Sequence, residues 1–174
     1  MKKLTLIRHA KSSHSAVLSL DFDRPLSPRG ERDAPLIGRR LKQAHDFAPD
    51  ALLTSPALRA LTTARIIRQE AGLMHLPLEE DTLIYEAPLR NLISVLQNLP
   101  GHCRQPVLFG HNPGLELLAD YLCGQSVVHG LRTGGVVMLS LPDQPWSQLE
   151  AGSATLLTYF HPAQIGGGKD AHGE

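Results

Sequence analysis

The chain has 174 residues, enough to bury one core and too few for two ordinary domains. Hydrophobic residues make up 42% and charged residues 20%, an ordinary balance for a globular chain. Seventeen Lys and Arg against seventeen Asp and Glu leave a formal charge of zero, so no net field draws the chain to nucleic acid or to a membrane surface.

The N-terminus MKKLTLIRHA begins with two lysines, but its apolar run stops at Arg8, short of a secretory leader, and no apolar stretch is long enough to span a bilayer. Cys103 and Cys123 are the only cysteines, and reduced thiols in a cytoplasm are expected. Residues 4–7, 51–53 and 107–109 read as short buried strands. Helical stripes lie between them. Ala34, Ile37, Leu41 and Ala44 form the first; Ala57, Ala60, Leu61, Ala64 and Ile67 the second; Leu89, Leu92, Ile93 and Leu96 the third; Leu115, Leu118, Ala119 and Leu122 the fourth. Each repeats at three and four residues, as one buried helix face requires. Pro35 lies inside the first stripe, which predicts a kinked or late-starting helix. Residues 136–141 and 155–160 read as two strands, antiparallel across a connection containing Pro142, Asp143 and Pro145. This order predicts an α/β protein, a three-layer α/β/α sandwich with a mainly parallel sheet and an antiparallel edge strand. One domain is expected over residues 1–165, followed by a Gly-rich, disordered tail over 166–174. Gly166-Gly167-Gly168-Lys169 looks like half a phosphate-binding loop, but Asp170 and no helix follow, so it is assigned to the tail.

Chemistry gathers where three strands end. Leu6-Ile7-Arg8-His9-Ala10 closes the first, Leu53-Thr54-Ser55-Pro56-Ala57-Leu58-Arg59 follows the second, and Phe109-Gly110-His111-Asn112-Pro113-Gly114 follows the third. In open α/β sheets ligands bind beyond the carboxyl ends of the strands. Ser55 with Pro56, and Asn112 with Pro113, read as an N-cap and first helical residue. Two helices would then start at one sheet edge with free N–H groups facing an anion. Arg8, Arg59, His9 and His111 would converge there, a set suited to a phosphoryl group. The remaining histidines, at 14, 45, 75, 102, 129, 161 and 172, show no metal-ligand spacing, and no metal or other cofactor is expected. Ser12, Ser13, Ser15 and Lys11 follow His9, where loop serines are common without a ligand.

Arg8-His9-Ala10 resembles the RHG signature of the histidine phosphatase (phosphoglycerate mutase-like) superfamily, with Ala10 in place of the usual glycine. SPALRALTTA and GHNPG resemble its two other phosphate-pocket segments, and in so short a chain the set is most similar to the SixA-type phosphohistidine phosphatases. The resemblance runs from about residue 3 to about residue 160. It implies that His9 attacks phosphorus, that Arg8, Arg59 and His111 hold phosphoryl oxygens, and that Glu86 stands where many members keep a proton-donating carboxylate. Ala87-Pro88-Leu89 follows Glu86 where a glycine and a second acid are usual. Ser15 is a further candidate donor to the phosphate. Arg8 and Arg59 are expected to keep His9 neutral by like-charge repulsion. The expected partner is a phosphorylated protein or a small phosphorylated substrate, and the expected reaction is dephosphorylation of phosphohistidine on a protein. A small-molecule phosphomonoesterase and a phosphate-binding module without turnover are the competing readings. A mutase must exclude water, which a small open pocket does poorly.

Overall fold

The computed structural model describes residues 1–14 and 20–166. Among these described residues, six strands form one sheet: β1 (Lys2–Arg8), β2 (Ala51–Thr54), β3 (Leu78–Glu80), β4 (Pro106–Gly110), β5 (Val136–Leu141) and β6 (Thr155–Phe160). Their order across the sheet is β3-β2-β4-β1-β5-β6. The first four run parallel to their neighbours, whereas β5 is antiparallel to β1 and β6 to β5. Arg8 lies opposite Gly110, and Thr54 opposite Phe109, so β1, β2 and β4 end at one level.

Four helices cover the sheet: α1 (Pro28–Lys42), α2 (Leu58–Glu70), α3 (Leu89–Gln97) and α4 (Gly114–Cys123). Side chains alternate across a strand, and β1 shows it: Leu4 and Leu6 pack with Leu92, Leu96, Leu115 and Leu118 of α3 and α4. Ile7 packs on the opposite face with Ile37, Leu41, Ala64 and Ile67 of α1 and α2. These are the stripes anticipated from spacing, and the three-layer sandwich with its antiparallel side strands is present. Each fully buried Leu or Ile contributes about 1.5–3 kcal/mol, above the differences in helix propensity among residues other than proline, so packing decides where these helices form.

Three local expectations are corrected. Helix α1 does not start late, and it runs through Pro35 to Lys42. Ser27 caps it by accepting from the Gly30 N–H at 3.2 Å, Pro28 occupies the first turn, and the buried face carries the helix through Pro35. Ala44 lies beyond the helix end. Strand β3 has no apolar signal, because two of its three residues are exposed glutamates held only by pairing with β2. Among the described residues, no helix is long and apolar enough to cross a membrane.

The start of α1 is docked on the segment after β1. Both the N–H and the hydroxyl of Ser27 donate to Lys11 O, at 2.9 and 3.1 Å. Gly30 packs so closely on that carbonyl that a Cβ would sit 2.1 Å from the oxygen. We expect Gly30→Ala to destabilise the fold by about 1–3 kcal/mol despite alanine's better helix propensity, because the clash is with backbone. The check is thermal unfolding, in which Tm should fall by about 2–4 °C per kcal/mol lost; an unchanged or higher Tm would show that the two segments part at no cost.

Candidate active site

The Arg8–His9 backbone is held on both sides. The Arg8 N–H donates to Gly135 O and the His9 N–H to Gly110 O, each at 3.0 Å. Gly134 N–H returns to Arg8 O and His9 O, at 3.1 and 2.9 Å. Gly134 has a φ of 71° and lies against Pro162 and Ile37, where a Cβ would come within 2.7 Å of Pro162, so both the turn and the space require glycine here. Next in the chain, Ala10 N–H donates to Thr63 Oγ1 at 3.0 Å, which ties the segment to α2.

His9, Arg59 and His111 are buried, 6%, 4% and 7% exposed, which is unusual enough for such groups to require an account. The His9 Nδ1–H donates to Ala10 O at 2.7 Å, so the neutral ring carries its free lone pair on Nε2. His9 and His111 lie with ring centroids 5.3 Å apart. Burial depresses the His9 pKa to about 3, against the Ala10 hydrogen bond, with His111, Arg59 and Arg8 pushing the same way as burial. The arginines expected to keep His9 neutral therefore act, but desolvation acts more strongly. His111 is lowered to about 4 by burial first and by Arg59 next.

Ser55 is not the N-cap of α2, and Asn112 is not that of α4. The helices begin at Leu58 and Gly114, with Ala57 and Pro113 as the capping residues. Ser55 Oγ accepts from the Ala57 N–H at 3.2 Å and meets His111 Nε2 at 2.7 Å. Ser55 Oγ has a second lone pair as well as its proton, so it can serve either His111 tautomer, and Nδ1 of that ring is the nitrogen left without a partner. Asn112 Oδ1 accepts from the Glu116 N–H at 3.3 Å, one turn into α4.

Both arginines are anchored in the same manner. Arg8 Nη1 donates to Leu131 O at 2.7 Å, and Asn112 Nδ2 donates to the same carbonyl at 3.2 Å. Glu116 fixes that loop by accepting from the Gly130 N–H at 2.6 Å. Arg59 Nη1 donates to Asp21 O at 2.8 Å and Nη2 to Asp21 Oδ2 at 3.0 Å. Three buried polar atoms have no hydrogen-bond partner among the described residues: Arg8 Nε, Arg59 Nε and His111 Nδ1. All three belong to side chains whose charge acts on His9.

The sequence-predicted residues Arg8, His9, Arg59 and His111 are thus brought together. Glu86 is exposed in the segment after Tyr85, with a φ of 46°, and its charge helps to raise the Tyr85 pKa. Ser15 lies outside the described residues. Ser12 pairs with Arg24 Nη1 at 2.8 Å. Sequence reading missed Asp21, Tyr85 and Glu116, and read Ser55 as a helix N-cap without its contact to His111. Only Glu116, one helical turn from Asn112, had a spacing that could have signalled its contact. Tyr85 packs edge-on against His111 and Phe22, at centroid distances of 5.6 and 5.2 Å, and its hydroxyl donates to Asp21 Oδ2 at 2.7 Å. A partly exposed wall of rings therefore runs outward from His111. Among the described residues, no group of three His, Cys, Asp or Glu could hold a metal ion.

An imidazole lone pair beside two fixed guanidinium groups and a second imidazole can attack, and stabilise, a tetrahedral anion. A protein of Mycobacterium tuberculosis with no characterised function is 29% identical over 165 residues, which cover 90% of this chain and 99% of that protein. An Agrobacterium tumefaciens structure assigned as a phosphohistidine phosphatase SixA superposes with a TM-score of 0.78 at 23% identity, covering 92% of this chain and 98% of the other. The protein histidine phosphatase SixA complexed with tungstate gives a TM-score of 0.76 at 21% identity, covering 94% and 99%. At these identities the two structures establish the fold. The family model of the histidine phosphatase superfamily (branch 1) matches residues 4–90, half of the chain and the half that contributes Arg8, His9 and Arg59, and the chain belongs to that superfamily.

Proposed function

We propose that this chain is a metal-independent phosphatase that forms a phosphohistidine on His9, and that its substrate is phosphohistidine on a protein. The observation that carries the reading is the set of buried, unpartnered nitrogens (Arg8 Nε, Arg59 Nε and His111 Nδ1) around a histidine whose Nε2 lone pair is free. Leaving such groups without a partner costs about 1–3 kcal/mol each. Phosphoryl oxygens satisfy both guanidinium Nε–H groups, and His111 as well in the tautomer this proposal gives it, with the proton on Nδ1 and Nε2 accepting from Ser55. Residues 1–165 act as one domain in this proposal, in a cytoplasm that keeps Cys103 and Cys123 as thiols.

The reaction has two steps. Nε2 of His9 attacks phosphorus in line, the Nε2–P bond forms and the bond to the leaving group breaks. Water then attacks the same phosphorus, the P–N bond breaks, and inorganic phosphate and neutral His9 are regenerated. Arg8 and Arg59 supply the positive charge that metal ions supply in other phosphoryl-transfer sites, and His111 Nδ1–H adds a donor. The His9–Ala10 hydrogen bond supports the imidazole as positive charge develops on it. A phosphorylated imidazole, protonated at its other nitrogen, leaves as a neutral ring and needs little help, whereas an alkyl alcohol needs an acid. Glu86, exposed and next to Tyr85, would as a proton donor serve the second class more than the first. The ring wall of Tyr85 and Phe22 suits a flat leaving group such as imidazole. The likeness to the SixA structures supports the same substrate class.

Replacement of His9 by alanine should reduce kcat/KM by more than about a hundredfold on any phosphorylated substrate, while calorimetry still registers phosphate binding. A smaller loss would remove His9 from the attacking role.

A depressed His9 pKa extends the active, deprotonated form into acid. After correction for the substrate's own ionisation, kcat/KM should stay level from about pH 7 to about pH 5, below the ordinary histidine midpoint. The unfolded chain binds protons to both imidazoles at higher pH than the native one does. Native stability is therefore full above about pH 6.5 and declines as the pH falls toward the folded values of about 4 and about 3. Thermal melts at each pH separate that decline from catalysis. An acid limb centred above pH 6.5 or so, at unchanged Tm, would contradict a buried, neutral His9.

Glu86→Gln should cost about a hundredfold or more on an alkyl phosphate, several times less on an aryl phosphate, and little on a phosphohistidine peptide. Equal losses across the three would assign Glu86 to binding. Wild-type preference for the alkyl phosphate would favour a small-molecule phosphomonoesterase.

A further inference from the structure

Arg59 is held from outside by a residue that no motif marks. A planar guanidinium presents two paired edges, one spanning Nη1 and Nη2 and the other spanning Nε and Nη2. Asp21 takes the first edge with its main-chain oxygen on Nη1 and Oδ2 on Nη2. The second edge, with the unpartnered Nε, remains. Arg8 is disposed alike, with Nη1 on the Leu131 carbonyl and Nε unpartnered. The carboxylate that holds Arg59 is itself fixed: Tyr85 Oη donates to Oδ2 at 2.7 Å and Arg24 Nη2 to Oδ1 at 3.1 Å. Arg24 also reaches Ser12 Oγ, on the segment that follows His9.

We infer that Asp21 is a positioning residue for Arg59, locking the outer edge of its guanidinium so that the Nε edge faces the phosphoryl group. The inference rests on the phosphatase reading above. It also separates two roles that one contact could have. A carboxylate competing for the phosphate site would cover the Nε edge, and Asp21 covers the other one. Tyr85 acts through the same carboxylate, and its ring, set edge-on to His111, couples the anchor to the second imidazole. Ionisation of Asp21 is favoured by the Tyr85 hydrogen bond first and by Arg59 next, so the anchor stays charged at neutral pH.

The test is calorimetric titration of inorganic phosphate into the wild-type chain, Asp21→Asn and Asp21→Ala, with kcat/KM on an aryl phosphate measured for Asp21→Ala, Arg59→Ala and the double variant. Phosphate binding should weaken about three- to thirtyfold in Asp21→Ala and by less in Asp21→Asn, which keeps an acceptor oxygen. Circular dichroism should show the folded chain in the Asn variant even if the Ala variant is less stable. In the Arg59→Ala background the Asp21 substitution should change kcat/KM by less than about twofold, since the residue acts through Arg59. Tighter phosphate binding in Asp21→Ala would make Asp21 a competitor and overturn the inference. Losses that multiply in the double variant would overturn it as well, because Asp21 would then act through other groups. A wild-type chain that binds no phosphate would overturn the site reading itself, a result distinct from wild-type binding that the Asp21 substitutions leave unchanged.

Discussion

The arrangement depends on how the end of β1 is pinned. A strand end ordinarily frays into solvent with its last amides hydrated. Here the amides of Arg8 and His9 go to Gly135 and Gly110, and both of their carbonyls accept from Gly134. With every backbone group committed, the strand stays regular up to the histidine, and the imidazole is then fixed by its bond to Ala10 O. Burial of an imidazole in this way is tolerable only in the neutral form, and the hydrogen bond selects which nitrogen is left basic. Position, protonation and tautomer thus follow from one cluster of main-chain contacts, contributed by β4 and by the residues leading into β5.

Around that point, neighbouring elements each deliver one group to the same level of the sheet. The register that sets Arg8 opposite Gly110, and Thr54 opposite Phe109, carries His111 and Ser55 to the same rim. Arg59 sits on the second residue of α2 and is buried because its helix packs on the sheet with Ala60, Ala64 and Ile67 inward. Apolar packing fixes the scaffold, and the polar groups project from where its regular pairing stops.

Much of this is legible in the sequence because it is periodic. The four helical stripes depend on spacings of three and four residues and fold as the spacing requires, except that Ala44 and Ala57 fall just outside α1 and α2; the strands at 136–141 and 155–160 form as read. Arg8, His9, Arg59 and His111 were legible because each sits within a few residues of a strand end. Strand β3 was not, because Glu79 and Glu80 pair through the backbone while their side chains point to solvent. Pro35 misled because its local cost was weighed without the Ser27 cap or the buried face around it. Asp21 and Tyr85 meet across 64 residues of chain, and no periodicity encodes such a contact. Ser55 was read locally, as a helix cap, when its hydroxyl also serves a histidine 56 residues away.

The two arginines have a consequence for ligand choice. Each long side chain carries about 2 kcal/mol of rotamer entropy, and here it is surrendered during folding, to the Leu131 carbonyl and to Asp21, before any substrate arrives. In the function proposed above, a phosphoryl group would meet a preorganised receptor and gain its full hydrogen-bond enthalpy whatever it is attached to. Such a receptor recognises the oxyanion strongly and its carrier weakly. Discrimination among carriers would then be left to the surroundings, where the rings of Tyr85 and Phe22 lie outward of His111, so related chains with the same inner constellation could diverge in substrate by changing only those residues.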